Sequence, residues 1–300
     1  MAAYRRIEEP IELVYFIFPV CDGNCAHCWS SEMRMGRYKN ILWHESMLEA
    51  LGKMPYQYKE IKLSGGEPFL HPEIGEIPYL LHKKLGDEIP ITIFTSGRPF
   101  VSYEKGSRGI EETKTKLLKL FKCFDNLSIH MSIDEFHVAE LAKLNQWKPE
   151  EVKDNLKNYI MNFIFACEDI KQLYNGFLGP KLKIHCETGR KKYHQKQLFN
   201  WFPIEWWENY AILTEGLVYS GNAKKLQHTF KLRPNKKMSY FLLPGVDFYE
   251  KPLSERSEMF YDIKHKKALF LDDSENCAIM ISGWWNLIDK KPMYQCIYIK

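Results

Sequence analysis

The sequence predicts an α/β protein whose parallel sheet, with helices packed outside it, curls into a complete or partial barrel. Six strand-like segments alternate with helix-like ones between Ile11 and Thr214. The first of them, Ile11–Pro19, is almost continuously apolar and rich in β-branched and aromatic residues, the pattern of a strand buried on both faces. Each cysteine-bearing or polar cluster follows directly on a strand, and that carboxyl edge is where parallel α/β sheets bind ligands.

Taken in order, the first strand leads into the loop Cys21-Asp22-Gly23-Asn24-Cys25-Ala26-His27-Cys28. A helix is expected over Glu45–Gly52, with Met47, Leu48 and Leu51 on one side and Gly52 to stop it. Glu60–Ser64 reads as the second strand, ending in Gly65-Gly66-Glu67-Pro68. A helix over Ile77–Leu85 precedes the third strand, Ile91–Thr95, which ends in Ser96-Gly97. A helix over Glu111–Phe121 precedes the fourth, Leu127–Ile133, which runs into Asp134-Glu135-Phe136-His137. The clearest helix is Glu150–Glu168, where Val152, Leu156, Tyr159, Ile160, Phe163, Ile164 and Cys167 recur at helical spacing. Leu182–Cys186 is the fifth strand, Tyr193–Phe202 a helix and Tyr210–Thr214 the sixth strand. Right-handed crossovers close such an array into a barrel.

The alternation stops there. Gly216–Lys300 holds Pro234, Pro244, Pro252 and Pro292, short apolar runs, and an expected hairpin from Cys277 to Tyr298. Residues 1–215 are therefore assigned to the barrel and residues 216–300 to a small β-rich capping extension folded over the sheet.

A chain of 300 residues that is 45% hydrophobic has enough apolar mass for a large core. Its net charge of +4 is too small to argue for a nucleic-acid partner, and lysine pairs such as Lys236-Lys237 read as solvated surface. No window approaches the roughly twenty apolar residues of a membrane span, and Met1–Pro10 lacks the apolar stretch of a secretory signal. With eight cysteines and no export signal, the reading is a cytoplasmic protein whose thiols serve as ligands or nucleophiles.

The cysteine loop carries the most specific chemistry. Three thiols spaced C-x3-C-x2-C are too close for separate burial and can converge on one metal centre. Three ligands are one short of a closed zinc site or a fully ligated iron–sulfur cluster. His27 as a fourth ligand of a Cys3His zinc site is one alternative. Gly65-Gly66 permits close backbone approach, its carbonyls can accept from an ammonium group, and Glu67 adds negative charge; a plain turn is the other reading of that motif.

Taken together, the cysteine triplet after the first strand, Gly65-Gly66-Glu67-Pro68 after the second and the polar group after the fourth resemble the radical S-adenosylmethionine (SAM) superfamily over residues 11–215. The resemblance implies a partial (β/α)6 barrel in which Cys21, Cys25 and Cys28 hold one 4Fe–4S cluster and SAM binds its remaining iron. Reductive cleavage of SAM would then give a 5′-deoxyadenosyl radical that abstracts a substrate hydrogen atom, with an external electron donor of the flavodoxin or ferredoxin type. It implies that Gly65, Gly66 and Glu67 hold the SAM amino group, that Ser132 and Asp134 bond the ribose, and that His27 lies near the adenine. Thr95 and Ser96 would line the same cavity, and Arg190 would meet the SAM carboxylate in a fork. Gly221-Asn222-Ala223 is a further candidate for an adenine contact.

Glu135 and His137 are read either as acid–base groups or as a capped helix start. Cys186, at the end of the fifth strand, is a candidate hydrogen donor to a substrate radical, against the ordinary reading of a small buried hydrophobe. Trp201, Trp206, Trp207, Trp284 and Trp285 read as core or lid packing. The extension resembles a reduced SPASM-like cap without auxiliary-cluster cysteines, since only Cys277 and Cys296 fall in it. The expected function is thus radical chemistry on an amino-acid or peptide substrate. The alternatives are the same chemistry on a small metabolite and, from a different class, a non-catalytic zinc or iron–sulfur binding module.

Overall fold

A computed structural model describes residues 10–18, 20–28, 48, 57–186, 200–215, 239–244, 270–271, 277–286 and 291–296. Its strands are β1 (Ile11–Phe18), β2 (Tyr58–Gly65), β3 (Ile91–Thr95), β4 (Leu127–Ser132), β5 (Gly179–Cys186) and β6 (Ala211–Glu215). After them come β7 (Ser239–Pro244), β8 (Phe270–Leu271), β9 (Cys277–Asn286) and β10 (Lys291–Cys296). The described helices are α1 (Ile77–Leu85), α2 (Ser107–Leu120), α3 (Glu135–Leu144), α4 (Val152–Leu173) and α5 (Ile204–Tyr210).

Strands β1 to β6 lie side by side in chain order and pair in parallel throughout. The whole order is β10-β9-β7-β1-β2-β3-β4-β5-β6, with β6 at one edge and β10 at the other. Among the described strands the sheet is therefore open, as a partial barrel requires. The described strands after β6 join this same sheet: β7 pairs in parallel with β1, and β9 runs antiparallel to β7 and to β10. The hairpin expected from Cys277 onward is β9–β10.

Alternation along the strands decides where the core sits. Leu13, Tyr15 and Ile17 of β1, Ile61 and Leu63 of β2, Ile91 and Ile93 of β3, Leu127, Ile129 and Met131 of β4, and Leu182 and Ile184 of β5 are all buried. Against them pack Ile77 and Leu81 of α1, Leu117 of α2 and the long stripe of α4. That stripe, Leu156, Tyr159, Ile160, Phe163, Ile164, Cys167 and Ile170, keeps the three-and-four spacing of a buried helix face. It extends beyond the predicted end at Glu168, because Ile170 continues the stripe past the polar pair Glu168-Asp169.

Two other elements go beyond the expectation. Helix α3 continues the capped start read at Glu135–His137 through to Leu144: its apolar face is slight, with Glu140 and Leu141 the buried residues. Helix α5 begins after Pro203, which supplies the fixed backbone angle of a helix start. It buries Trp207 and stacks Trp206 on Phe202 with ring centroids 4.7 Å apart, so these tryptophans pack the core. The helix predicted over Tyr193–Phe202 lies outside the described residues except at its end, as does that over Glu45–Gly52 apart from Leu48, which is helical and buried. Among the described residues no helix is long and apolar enough to cross a membrane.

Candidate active site

The cysteine loop leaves β1 at the carboxyl edge of the sheet and is held there by three elements. The Glu67 N–H, just past β2, donates to the Val20 carbonyl at 2.8 Å. The Asn24 N–H donates to Oε1 of Glu140 on α3 at 2.9 Å. From beyond β3, Arg98 donates through Nη2 and Nε to Asp22 Oδ1, at 2.5 and 3.1 Å. The same Nη2 lies 3.6 Å from Cys21 Sγ. This guanidinium, with its side chain 5% exposed, lies against Gly23, where a Cβ would overlap it. A side chain at position 23 would have to displace the tip of Arg98.

Within the loop, the Cys28 N–H donates to the Cys25 carbonyl at 3.1 Å, closing a turn that brings the second and third cysteines together. The Gly23 N–H points at Cys21 Sγ, 3.5 Å away. Cys25 and Cys28 are 6% and 9% exposed, while Cys21 is partly exposed. Burial pushes the Cys25 thiol up to about 12, with the nearby Arg98 charge opposing it. A bound metal reverses that preference, because coordination takes the thiolate. Three thiols on one short loop, two of them buried and one beside a guanidinium, fit a cluster that takes three thiolate ligands.

Gly65 ends β2 at φ +140°, a backbone angle that side-chain-bearing residues rarely adopt. Glu67, 1% exposed, sits behind that turn. Its carboxylate accepts from Thr95 Oγ1 at 2.6 Å, Ser96 Oγ at 2.5 Å, Ser96 N–H at 2.8 Å and Phe69 N–H at 3.2 Å. Burial raises its pKa, and the bonds from Ser96, Thr95 and Phe69 oppose that rise. Glu67 thus locks the end of β2 to the end of β3, with Thr95 and Ser96 as its partners. The Ser96 carbonyl in turn accepts from the Tyr159 hydroxyl of α4 at 2.7 Å.

Asp134 is buried and caps α3: its Oδ1 accepts from the N–H groups of Phe136 and His137, both at 2.9 Å. Its Oδ2 lies 3.3 Å from His27 Nε2 and 2.9 Å from His137 Nδ1. His27 also stacks on Phe136, with ring centroids 4.8 Å apart at 25°. The helix-cap reading of Glu135–His137 is the one seen, and the cap joins the last third of the cysteine loop to β4. Ser132 is the last residue of β4, partly exposed, in register with Lys183 of β5. Cys186 ends β5 in register with Glu215. Gly66 is partly exposed between Gly65 and Glu67. Arg190 and Gly221–Ala223 lie outside the described residues.

Sequence reading missed Arg98 and Glu140, which clasp the loop from 77 and 116 positions away. The available signals were an arginine directly after the strand-end pair Ser96-Gly97 and a carboxylate on the inner side of a weakly amphipathic helix.

Among solved structures, the chain resembles SuiB from Streptococcus suis bound to S-adenosylmethionine, at 16% identity and a TM-score of 0.44, covering 75% of this chain and 44% of that one. It resembles anSMEcpe with bound AdoMet and Cp18Cys peptide at 15% identity and a TM-score of 0.37, covering 69% and 51%. Coproporphyrinogen III oxidase (HemN) from Escherichia coli is similar at 15% identity and a TM-score of 0.37, covering 75% and 48%. The chain thus spans about half the length of these proteins. No curated protein matches it in sequence. The family profile of the radical SAM superfamily matches residues 15–179, from within β1 to the first residue of β5. It takes in the cysteine loop, the Gly65–Pro68 turn and the Asp134 cap, and covers more than half of the 300 residues. The chain belongs to the radical SAM superfamily of enzymes.

Proposed function

We propose that the chain binds one 4Fe–4S cluster through Cys21, Cys25 and Cys28 and uses it, with SAM, to abstract a hydrogen atom from an amino-acid or peptide substrate. The observation that carries this reading is the triple clasp on the cysteine loop at the carboxyl edge, by Glu67, Arg98 and Glu140. When bound, the cluster and SAM supply the radical chemistry, fed by an external donor of the flavodoxin or ferredoxin type. The chain's own residues orient and shield. The carbonyls of Gly65 and Gly66 face the task of accepting from the SAM ammonium group, with Glu67 behind them fixing the turn and adding negative charge. Ser132 and Asp134 are assigned to the ribose, Ser96 to the wall of the same cavity, and His27 to the adenine side, with its ring already held by Phe136. Arg190 is assigned to the SAM carboxylate and Cys186 to hydrogen donation, both on their sequence positions. The extension over residues 216–300 is assigned the role of a reduced SPASM-like cap. The cytoplasm, with its reducing thiol chemistry, is the compartment proposed.

A polar substrate is supported by the inner sheet face, where Glu60, Lys62, Thr92, His130 and Lys183 offer groups suited to carboxylate, ammonium and amide partners. The test is anaerobic reconstitution. About four irons per chain and reductant-dependent release of 5′-deoxyadenosine are expected, both lost in Cys25→Ala. A Cys25→Ala protein that still cleaves SAM defeats the proposal. One zinc per chain and no SAM binding in the parent protein would instead support the binding-module alternative.

A further inference from the structure

The sheet face opposite the helices is not apolar. Glu60 and Lys62 stand on β2, a strand paired on both sides, yet expose 23% and 22% of their side chains. Along the same face the strand register sets Lys62 beside Thr92, Phe94 beside His130, and Ser132 beside Lys183. Lys183 reaches from β5 back across β4, placing its Nζ 4.1 Å from the centre of the Phe94 ring on β3. That ring meets His130 edge-on at 5.4 Å. The two lysines therefore enter one concavity from opposite sides.

Among the described side chains of that face, cations outnumber carboxylates. Glu60 is its one carboxylate among the described side chains, and Glu60 already pairs with Lys62 at 3.1 Å and accepts from Thr92 Oγ1 at 2.5 Å. Lys183 has no carboxylate within ion-pair distance among the described residues, and a ring face replaces only part of the hydration an ammonium gives up. Burial comes first, and then the charges of Lys183, Lys62 and Lys181, in driving His130 down to about 3, so it stands there as a neutral hydrogen-bonding group. Keeping an unpaired ammonium on an interior face costs stability, and a ligand of opposite charge repays that cost.

The geometry points to an anion subsite on this face, in which Lys183, supported by Lys62 and His130, receives a carboxylate or phosphate group of the substrate. The inference deepens the proposed function and rests on it: it makes the substrate an anion held by its charged end on the inner face. Lys183 pairs with Ser132 at the top of β4, so the rest of such a molecule is left toward the edge where the cysteine loop lies.

The test uses the whole reconstituted chain saturated with SAM, titrated calorimetrically with inorganic phosphate in one arm and glutarate in the other. One-to-one binding in at least one arm is expected, weakened tenfold or more by Lys183→Met and unchanged by Lys105→Met at an exposed control lysine. The stronger arm tells phosphate from carboxylate. Should Lys183→Met not fold, Lys183→Gln carries the same comparison. Absence of binding in both arms, or binding that survives loss of Lys183, overturns the inference. If SAM is cleaved but neither anion binds, this subsite alone falls; if anions bind through Lys183 but SAM is not cleaved, the proposed radical function falls instead.

Discussion

Lys62 and Leu63 are neighbours on β2 that face opposite ways, and the two sides of the sheet differ along its whole width. On one side Leu63, Ile93, Ile129 and Ile184 are fully buried under α1, α2 and α4. On the other, Lys62, Phe94, His130 and Lys183 are partly exposed and mostly polar. A parallel sheet used only as scaffold is apolar on both faces. Here one face stabilises the fold and the other keeps polar groups at its expense, which is the division expected of a barrel with a working interior.

The comparison breaks most readily at Leu63. Leu63→Ala removes a fully buried side chain from the packed face and should cost about 2–5 kcal/mol, read as a lower midpoint in urea unfolding. A loss below about 1 kcal/mol would mean that this face is not the core. Arg98→Met comes next. It leaves Asp22 without its charged donor and Cys21 without its cationic neighbour, for an expected loss of about 1.5–3 kcal/mol. In the reconstituted enzyme, removing a positive charge beside a cluster sulfur lowers the reduction potential; a redox titration followed by electron paramagnetic resonance measures the shift. An unmoved potential would make Arg98 a loop clasp and nothing more.

Lys183→Met sharpens the contrast because its sign is opposite. Burial, then the Lys62 charge, lowers Lys183 from 10.5 to about 8, with Glu60 opposing. Below pH 8 both folded and unfolded states carry the proton, and the folded state bears the full penalty of the interior ammonium. Between about pH 8 and 10.5 the unfolded state binds more protons, so the parent gains stability as pH rises. Methionine lacks that penalty, and the variant should be more stable at pH 7 by about 1–2 kcal/mol after allowance for solvent screening and the lost ring contact. Its advantage should shrink toward pH 10. A variant less stable than the parent at pH 7 would place Lys183 among the stabilising residues.

These two faces also explain what could be read from the sequence. The strands were legible because the buried set, Ile61/Leu63, Ile91/Ile93 and Leu127/Ile129/Met131, keeps a strict period of two, and α4 because its stripe keeps the helical period over 22 residues. The cysteine loop was legible because its ligands are local. What escaped was long-range: Arg98 reaching Cys21, Glu67 spent on Thr95 and Ser96, and Lys183 crossing two strands to Phe94. No spacing rule contains those contacts, since curvature and side-chain reach bring the groups together. Only the start of helix α3 was legible, for a local reason: beyond it one buried carboxylate, Glu140, takes a place that an amphipathic pattern gives to an apolar residue.

That carboxylate supports the smallest of the expected effects. Glu140→Gln keeps an oxygen able to accept from the Asn24 N–H and removes only the charge, so unfolding should change by about 0.5–1 kcal/mol. The loop would feel it more than the fold does, because Asn24 lies next to Cys25, and its N–H bond to Glu140 is one of the contacts that fix the loop to α3. Hydrogen exchange at the Asn24 and Cys25 amides should quicken in Glu140→Gln while amides within β2 and β3 stay as slow as in the parent. Equal acceleration in the strands would show that Glu140 acts on the sheet as a whole, and no acceleration anywhere would leave Glu67 and Arg98 as the clasps that hold the cysteines.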